Sequence, residues 1–230
     1  MFRKMVFCWI LGCFSYSVIA KEIKDTCPVR PNYDIIITDT SVEFIENDHT
    51  MDLFNDGKLQ IDDKYYVIDN INKQKVITLS TYIRTQLPAF KLLSHQQLSN
   101  VHNNFTLAIK NRLGNNAHLL KYLDQLYAEL SVMLEEVIYT DNNRLFFKHK
   151  IFNSLKEKGR TNAVRIFKSA LADSFFHFKL FKDYSAIKKI SADEWKKQKP
   201  ELKAFNLQVC KMVEDIDKQY RQLAIVNDIN

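Results

Sequence analysis

The chain has 230 residues, a formal net charge of +6 at pH 7, 46% apolar residues and only four glycines. This length is sufficient for a real hydrophobic core in one large domain or two small ones. Beyond residue 20 the glycines are isolated, at Gly57, Gly114 and Gly159, whereas phosphate-binding loops need several glycines a few residues apart. Walker and Rossmann sites are therefore excluded, and so is a nucleophile elbow of the G-x-S-x-G type.

The first twenty residues, MFRKMVFCWILGCFSYSVIA, combine a basic start at Arg3 and Lys4 with an uncharged apolar run that ends at Ala20. This order is typical of a secretory signal peptide, and the small Ala20 before Lys21 predicts cleavage between these two residues. A transmembrane anchor is one alternative, but the apolar run has about 16 residues and a helical span needs roughly 20. We therefore expect an exported protein with a mature chain of residues 21–230.

A second alternative is lipidation of the exported protein. The residues Ile10 to Cys13 read ILGC and loosely resemble a bacterial lipobox, which would make Cys13 the lipid-carrying first residue. The apolar stretch before Cys13 is short for a lipobox, and apolar residues continue after it. Cleavage after Ala20 is the preferred interpretation, with a lipoprotein anchored through Cys13 as its alternative.

Cleavage would remove Cys8 and Cys13 and leave two cysteines, Cys27 and Cys210. Thiols that reach an oxidising compartment tend to pair, so Cys210 pairs with Cys27 or with nothing; two separate buried thiols are the alternative. A bridge would close a ring of nearly the whole mature chain, worth about 5 kcal/mol in the loop-entropy model. A C-x-x-C redox motif is absent, so we interpret the bridge as structural.

The basic balance of the chain is mild once the predicted signal peptide is removed. Loss of Arg3 and Lys4 leaves 6 − 2 = +4. Lysines gather between Lys179 and Lys203 with acidic residues among them, a pattern typical of a solvated helix face. The basic residues form no nucleic-acid-binding motif, and an exported protein rarely meets DNA, so we expect no nucleic-acid partner.

Residues 33–68 have the pattern of a small antiparallel sheet or meander. YDIIITD is a short β-branched run, SVEFIE alternates apolar and polar positions, and KYYVID supplies another strand. Between MDLF and KLQI, Asn55, Asp56 and Gly57 predict a hairpin, because Asp-Gly suits the positive-φ positions of a tight turn. Such a sheet needs a covering layer on one face.

From about Ile71 to residue 226 the apolar period is mostly helical. The first helix should end or kink at Pro88, and a second, from Leu92 to Leu113, should end at Gly114 as a glycine cap. The clearest pattern is the third helix, whose apolar residues follow one another at three- and four-residue spacing: Leu119, Leu120, Leu123, Leu126, Leu130, Met133, Leu134, Val137 and Ile138.

The last third of the chain begins with RLFFKHKIF, which is either a strand returning to the N-terminal sheet or the start of the next helix. A phenylalanine-rich stretch at 163–181 is interpreted as helical core rather than as a ligand groove. The last helix, roughly Asp193 to Val226, is predicted to bury an apolar stripe that lies beside Cys210: Phe205, Val209, Met212, Val213, Ile216, Tyr220 and Leu223. One α+β domain tied by a disulfide is the simplest fold.

The sequence contains no residue pattern that indicates a catalytic, cofactor-binding or metal-binding site. The six histidines are His49, His95, His102, His118, His149 and His177, and no pair has the three-to-five-residue spacing of a zinc site. His95 and His102 would share a helix face. The adjacent carboxylates Glu135-Glu136 and Asp193-Glu194 could serve a glycosidase, but solvated charge explains both pairs equally well.

Six segments, in order along the chain, resemble the YggN-type family of Gram-negative exported proteins, a domain of unknown function. They are TCPVRPNYDIIIT, LQIDDKYYVID, YIRTQLPAF, YLDQLYAEL, NNRLFFKHKIFNSLKEKG and EWKKQKPELKAFNLQVC. The resemblance covers nearly the whole mature chain. It implies a soluble periplasmic protein and is consistent with a bridge between Cys27 and Cys210, but it supplies no catalytic residue, cofactor or substrate.

These observations predict a non-enzymatic periplasmic protein with a binding or envelope-maintenance role. Its helices would offer a groove or face to an envelope protein, a peptide or a lipid, and no cofactor is expected. The alternative from a different class is a hydrolase of envelope polymers whose site follows no known motif. A deep cleft with two facing carboxylates would favour the hydrolase.

Overall fold

The computed structural model describes residues 27–115, 117–155, 157–159, 161–162, 165 and 180–224. The predicted signal peptide, the lipobox cysteine Cys13 and the phenylalanines of the stretch 163–179 lie outside the described residues.

The described N-terminal part forms the predicted antiparallel meander. The strands are β1 (Asp34–Ile37), β2 (Ser41–Glu46), β3 (His49–Phe54), β4 (Leu59–Ile61), β5 (Lys64–Tyr66), β6 (Ile138–Asp141) and β7 (Arg144–Phe147). They make one seven-stranded sheet in the order β5-β4-β3-β2-β1-β7-β6, and every neighbouring pair is antiparallel.

The hairpin predicted at Asn55-Asp56-Gly57 joins β3 to β4. Gly57 has a φ of +85°, and its N–H donates to the Phe54 carbonyl at 2.9 Å. A Cβ at this position would lie 2.5 Å from Lys73 Cγ. Glycine is therefore required here both for backbone conformation and for the close approach of the turn to the helix that follows the sheet.

Strand β7 confirms the interpretation of RLFF as a strand that returns to the N-terminal sheet, because Phe147 pairs with Ile35 of β1. A helical segment, residues 149–155, then follows directly. Strand β6 differs from the prediction, which continued the third helix through Ile138. The Asn142-Asn143 dipeptide has positive φ at both residues, which closes a two-residue hairpin and lets Ile138 pair with Phe147.

The first helix was predicted to end or kink at Pro88 before a second helix from Leu92, and the break between two separate helices is wrong. A single helix, α1, runs from Asn70 to Leu113 with Pro88 inside it. Proline in a helix interior costs about 3 kcal/mol, but Pro88 lies on the exposed side, whereas Leu87 and Phe90 on either side of it are buried. Burial of such side chains contributes about 1.5–3 kcal/mol each, so packing outweighs the local penalty. The predicted glycine cap is confirmed, because the Gly114 N–H donates to the Lys110 carbonyl.

The other two long helices are α2 (His118–Val137) and α3 (Leu180–Ala224). The first matches the predicted third helix up to its last residue. Helix α3 begins at Leu180 rather than at the predicted Asp193, and the added segment contains the buried Ile190. Within α3 the predicted stripe is buried from Met212 to Leu223, while Phe205 and Val209 are partly buried against the same core.

The core lies between one face of the sheet, the N-terminal part of α1 and the C-terminal part of α3. Alternate strand residues such as Ile35, Val42, Phe44 and Leu53 point into it. From α1 it receives Val76, Leu79, Ile83, Leu87 and Phe90, so the C-terminal half of α1 extends past this core and packs instead with α2 and α3. At about 1.5 Å per residue, α1 is about 66 Å long.

The Cys27–Cys210 disulfide closes this arrangement, with the two Cα atoms 5.3 Å apart. It ties the segment before β1 to α3, as predicted. Nearby, the Tyr220 ring of α3 stacks on Phe44 at 4.5 Å and contacts Tyr33. The α+β fold class, with a sheet followed by long helices and a disulfide, is confirmed. None of the described helices combines the length and apolar character needed to cross a membrane.

Candidate functional site

The C-terminal half of α1 and the N-terminal half of α3 run antiparallel and leave a groove between them. Their direction follows from three contacts along the pair. Tyr82 donates to Asp215 at 3.3 Å, the Phe105 ring contacts Trp195 at 5.9 Å, and Arg112 donates to Asp193 at 2.7 Å. As the α1 number rises, the α3 number falls, so the C-terminal end of α1 lies beside the N-terminal half of α3.

We call this cavity the α1–α3 groove, and its volume is about 380 Å³. Helix α1 contributes Asn104, Leu107, Ala108, Asn111 and Arg112, and helix α3 contributes Glu194, Lys197, Gln198 and Glu201. The members share a helical spacing of three or four residues on each helix, so each set lies on one helix face. Seven of the nine are polar, and six of the nine are exposed: Asn104, Leu107, Asn111, Arg112, Lys197 and Glu201.

Two polar side chains of α3 are buried in this groove. Gln198 is 5% exposed and Glu194 is 7% exposed. Glu194 accepts a hydrogen bond from Lys197 at 2.6 Å, but among the residues that the structure describes the Gln198 Nε2 has no hydrogen-bond partner. An unpaired buried amide costs about 1–3 kcal/mol. The prediction that the Asp193-Glu194 pair is solvated charge is therefore wrong for Glu194.

The lining of the α1–α3 groove carries charges of both signs. Its two cations are Arg112 and Lys197, and its two anions are Glu194 and Glu201. Arg112 also contacts Asp193, and this hydrogen bond lowers the pKa of the Asp193 carboxyl. Because both cations already contact carboxylates of α3, the groove has no pair of adjacent unneutralised cations that would select an anionic ligand.

A second group of carboxylates lies on the sheet face opposite the core. Glu43 of β2 and Asp52 of β3 are directly opposite each other in the antiparallel register, so their Cβ atoms are about 5 Å apart. Burial, followed by the charges of Glu43 and Asp63, raises the pKa of Asp52 to about 6. Near neutral pH this places one partly protonated carboxyl beside an acidic neighbour, an arrangement that acid–base catalysts use. These residues do not line the α1–α3 groove.

The histidines predicted to share a helix face, His95 and His102, both lie on α1 and both face α2. The His95 Nε2 is 2.7 Å from Glu135, and the His102 Nε2 is 2.7 Å from Asp124. Each therefore has a carboxylate partner rather than a second histidine. The Glu135-Glu136 pair, considered for a glycosidase, is exposed, with Glu135 held by His95 and Lys91.

Another histidine, His149, completes a cluster around Asp34. Asp34 accepts hydrogen bonds from the backbone N–H and the ring Nδ1 of His149 and from the Lys148 Nζ, at 2.8–3.0 Å. Burial opposes ionisation of Asp34, but these hydrogen bonds outweigh it and lower its pKa. This cluster caps the helical segment at 149–155 against β1, which is a structural role.

Among the described residues, the one group with metal-ligand proximity is Cys27, Cys210 and Glu214. Both sulfur atoms are bound to each other in the disulfide, so this group offers a metal ion a single carboxylate. That is too few ligands for a structural zinc site.

Sequence reasoning missed Gln198 and the asparagines of α1 as site residues. Their signal was present: Asn104, Ala108 and Asn111 repeat at the spacing of one helix face, and so do Glu194, Gln198 and Glu201. Taken singly, each helix has a second, apolar face, and a polar face is normally interpreted as solvent-exposed. Only the pairing of α1 with α3 shows that the two polar faces meet.

Comparisons with known proteins agree with the resemblance noted from the sequence. The model of a family described as "Protein of unknown function (DUF2884)" matches residues 27–224. The "Uncharacterized protein YggN" of Escherichia coli K12 is 18% identical over 237 residues, which covers 97% of this chain and 98% of that protein. The proteins of the same description from E. coli O157:H7 and O6:H1 have the same identity and coverage. No solved structure matches the chain. The chain therefore belongs to the DUF2884 family.

Proposed function

We propose that this protein is exported to the periplasm and acts there as a non-enzymatic binding protein, with the α1–α3 groove as its binding site. The disulfide supports export, because such bonds persist in oxidising compartments and are rare in the cytosol. The signal-like composition of residues 1–20 points in the same direction.

One observation carries the binding proposal, namely the unpaired amide of Gln198. Several other buried side-chain atoms of the described residues also lack a hydrogen-bond partner, but only that of Gln198 belongs to a residue that lines the α1–α3 groove. In this groove the amide lies among further polar groups, and helix–helix clefts with a few convergent polar groups are frequent ligand sites. The Gln198 Nε2 is closed to solvent in this structure, so a ligand with an acceptor oxygen would supply the missing hydrogen bond after the amide turned toward the groove.

Site-specific cross-linking in the intact periplasm tests the proposal. A photoreactive residue replaces Leu107, which lines the groove and is 60% exposed, and in a matched control it replaces Val132, which lies on α2 and is 61% exposed. We expect a reproducible cross-linked species from position 107 that is absent at position 132. It should also weaken when Gln198→Leu is added. Equal labelling from both positions, or none from either, would count against a groove-based function.

Export itself is tested at the N-terminus. Cleavage after Ala20 gives a mature chain that starts at Lys21, so the intact mass of the periplasmic protein should match residues 21–230 with one disulfide. A lipidated N-terminal Cys13 would instead make the protein an anchored lipoprotein, and a retained residue 1 would contradict export.

A second candidate function, hydrolysis of envelope polymers, is favoured by the Glu43–Asp52 pair. Glycosidases use two neighbouring carboxyl groups, which Glu43 and Asp52 supply from directly opposite strand positions. A pKa of about 6 for Asp52 suits a general acid near neutral pH. Turnover of isolated peptidoglycan by the mature protein, lost in Asp52→Asn, would support this function. Unchanged peptidoglycan after prolonged incubation would leave the pair with a purely electrostatic role.

A further inference from the structure

We infer that the outward side of α3 docks on an anionic lipid surface through a row of lysines. This row, the α3 lysine stripe, consists of Lys189, Lys196, Lys199 and Lys203, and all four are exposed. The inference goes beyond the proposed binding function, because none of these lysines lines the α1–α3 groove.

The helical period separates the lysines of this segment from its acidic residues. In the sequence, Asp193, Glu194 and Glu201 stand among the lysines. In the structure, Glu194 and Glu201 line the groove, and Asp193 contacts Arg112 of α1. At about 100° per residue, the four lysines of the stripe fall within about 80° of one another on the side of α3 opposite Glu194 and Glu201. The mixed charge of the sequence therefore becomes a one-sided row of positive charge.

Neighbouring carboxylates do not neutralise the stripe. Among the residues that the structure describes, no carboxylate forms an ion pair with Lys189, Lys196 or Lys199. Lys197, which lies between two of them in the sequence, instead faces the groove and donates to Glu194 at 2.6 Å. Of the described helices and strands, α1 is the main packing partner of α3, and it lies on the groove side, so the stripe faces outward.

The spacing of the lysines suits an extended anionic surface rather than one anion. From Lys189 to Lys203 the stripe is about 21 Å long at about 1.5 Å per residue, and it lies on the convex side of a helix. A single phosphate or carboxylate reaches only one or two of these ammonium groups. The headgroups of an anionic leaflet meet the whole row, and each lysine near such a surface strengthens binding about fivefold.

Two exposed apolar side chains beside the stripe favour a lipid surface over a soluble polyanion. Trp195 is 45% exposed and Leu207 is 51% exposed. They lie on either side of the stripe, within about 80° of its middle. Helices that lie in a membrane interface combine lysines with tryptophan and leucine in this way, and tryptophan favours the level of the headgroups. A soluble polyanion would offer these two side chains no apolar contact.

Co-sedimentation with vesicles tests the inference on the mature protein. We expect binding to phosphatidylcholine vesicles that contain about 30% phosphatidylglycerol, and none to pure phosphatidylcholine. Binding at about 50 mM NaCl should be lost at about 0.5 M, because salt screens the lysines. Lys189→Gln/Lys196→Gln/Lys199→Gln should bind about a hundredfold more weakly, since three contributions of about fivefold are lost. Trp195 is the only tryptophan of residues 21–230, so its fluorescence emission should shift to the blue on binding.

Two further variants serve as controls. Lys64→Gln/Lys121→Gln/Lys150→Gln changes the net charge equally at three exposed lysines outside α3, and it should keep most of the wild-type affinity. Arginine at positions 189, 196 and 199 should also bind like the wild type, because it keeps the charge while changing the side chain.

Equal loss of binding in the two glutamine variants overturns the inference, and so does equal binding to both kinds of vesicle or binding to neither. Release from the anionic vesicles by about 10 mM inorganic phosphate at constant ionic strength would indicate a site for a single phosphate. Tighter binding to soluble polyphosphate than to the vesicles would indicate a polyanion site. Either of these results also overturns the assignment to a lipid surface.

Discussion

Removal of the Cys27–Cys210 disulfide should cost this protein a large part of its stability. The bridge joins residues 183 positions apart, so it constrains nearly the whole unfolded chain. For a loop of this length the chain-entropy relation gives about 17–18 cal/mol/K, or about 5 kcal/mol at 25 °C. Typical domains have total stabilities of 5–15 kcal/mol, so this is the largest single contribution that we can assign to one covalent feature.

The measurement is urea denaturation of the mature wild type and of Cys27→Ala/Cys210→Ala, followed by circular dichroism. With an m-value of about 2.5 kcal/mol/M, a loss of 5 kcal/mol lowers the midpoint by about 2 M. The m-value itself should rise in the variant, because an unbridged denatured chain exposes more surface. Each single variant should lose as much as the double variant, since one remaining thiol closes no loop.

Reduced wild type is the control for the alanine side chains, and it should denature with the double variant. The reasoning is refuted if the double variant has a native spectrum and a midpoint within about 0.4 M of wild type, a difference of only about 1 kcal/mol. Such a result would mean that the unfolded state is restricted by something other than the bridge, or that the bridge strains the native chain by as much as it stabilises it.

Four further substitutions test individual parts of the structure. Asp52→Asn should stabilise the protein at pH 7 by about 1 kcal/mol, discounted for solvent screening. Burial and Glu43 raise the folded-state pKa of Asp52 to about 6, so the stability of the wild type should fall as pH rises from about 4 to 6. The variant should show no such fall, because its amide does not ionise. Arg84→Met should destabilise by about 2–4 kcal/mol in urea titrations, because the guanidinium donates to the Thr38 and Ser41 carbonyls at 2.6 and 2.9 Å. Gly57→Ala should destabilise more than Gly114→Ala, since both glycines have φ near +85° but only Gly57 has neighbours within 4 Å of an added Cβ.

Each of these has a result that would contradict it. An Asp52→Asn variant that is less stable than wild type at pH 7 would show that the carboxylate makes a favourable contact in the fold. Arg84→Met at wild-type stability would mean that the β1–β2 turn does not depend on α1. Equal losses in the two glycine variants would assign the whole effect at Gly57 to backbone conformation, with no contribution from the contact with Lys73.

The local elements of this protein were predictable where one short segment contains all the information. The Asp-Gly turn after β3, the glycine cap at Gly114 and the apolar spacing of α2 each depend on residues within one or two turns of chain. The disulfide was predictable for a different reason, because only two cysteines lie beyond the predicted signal peptide. In each case the alternatives were few.

The errors lie where distant contacts outweigh a local preference. Pro88 favours a helix end, but burial of Leu87 and Phe90 against the sheet holds α1 together across it. The period of α2 continues through Ile138, but pairing with Phe147 converts that residue to a strand.

The candidate site is the strongest example of this limit. The sequence alone determined the N-terminal meander, the helical segments that follow it, the disulfide and the absence of a known catalytic motif. Only the tertiary structure decided that the polar faces of α1 and α3 meet, because residues about 90 positions apart, such as Asn104 and Gln198, come together only after both helices have packed on the sheet. A polar helix face has no free-energy penalty when it is exposed to water. The residues of one helix therefore do not determine whether its polar face meets another helix.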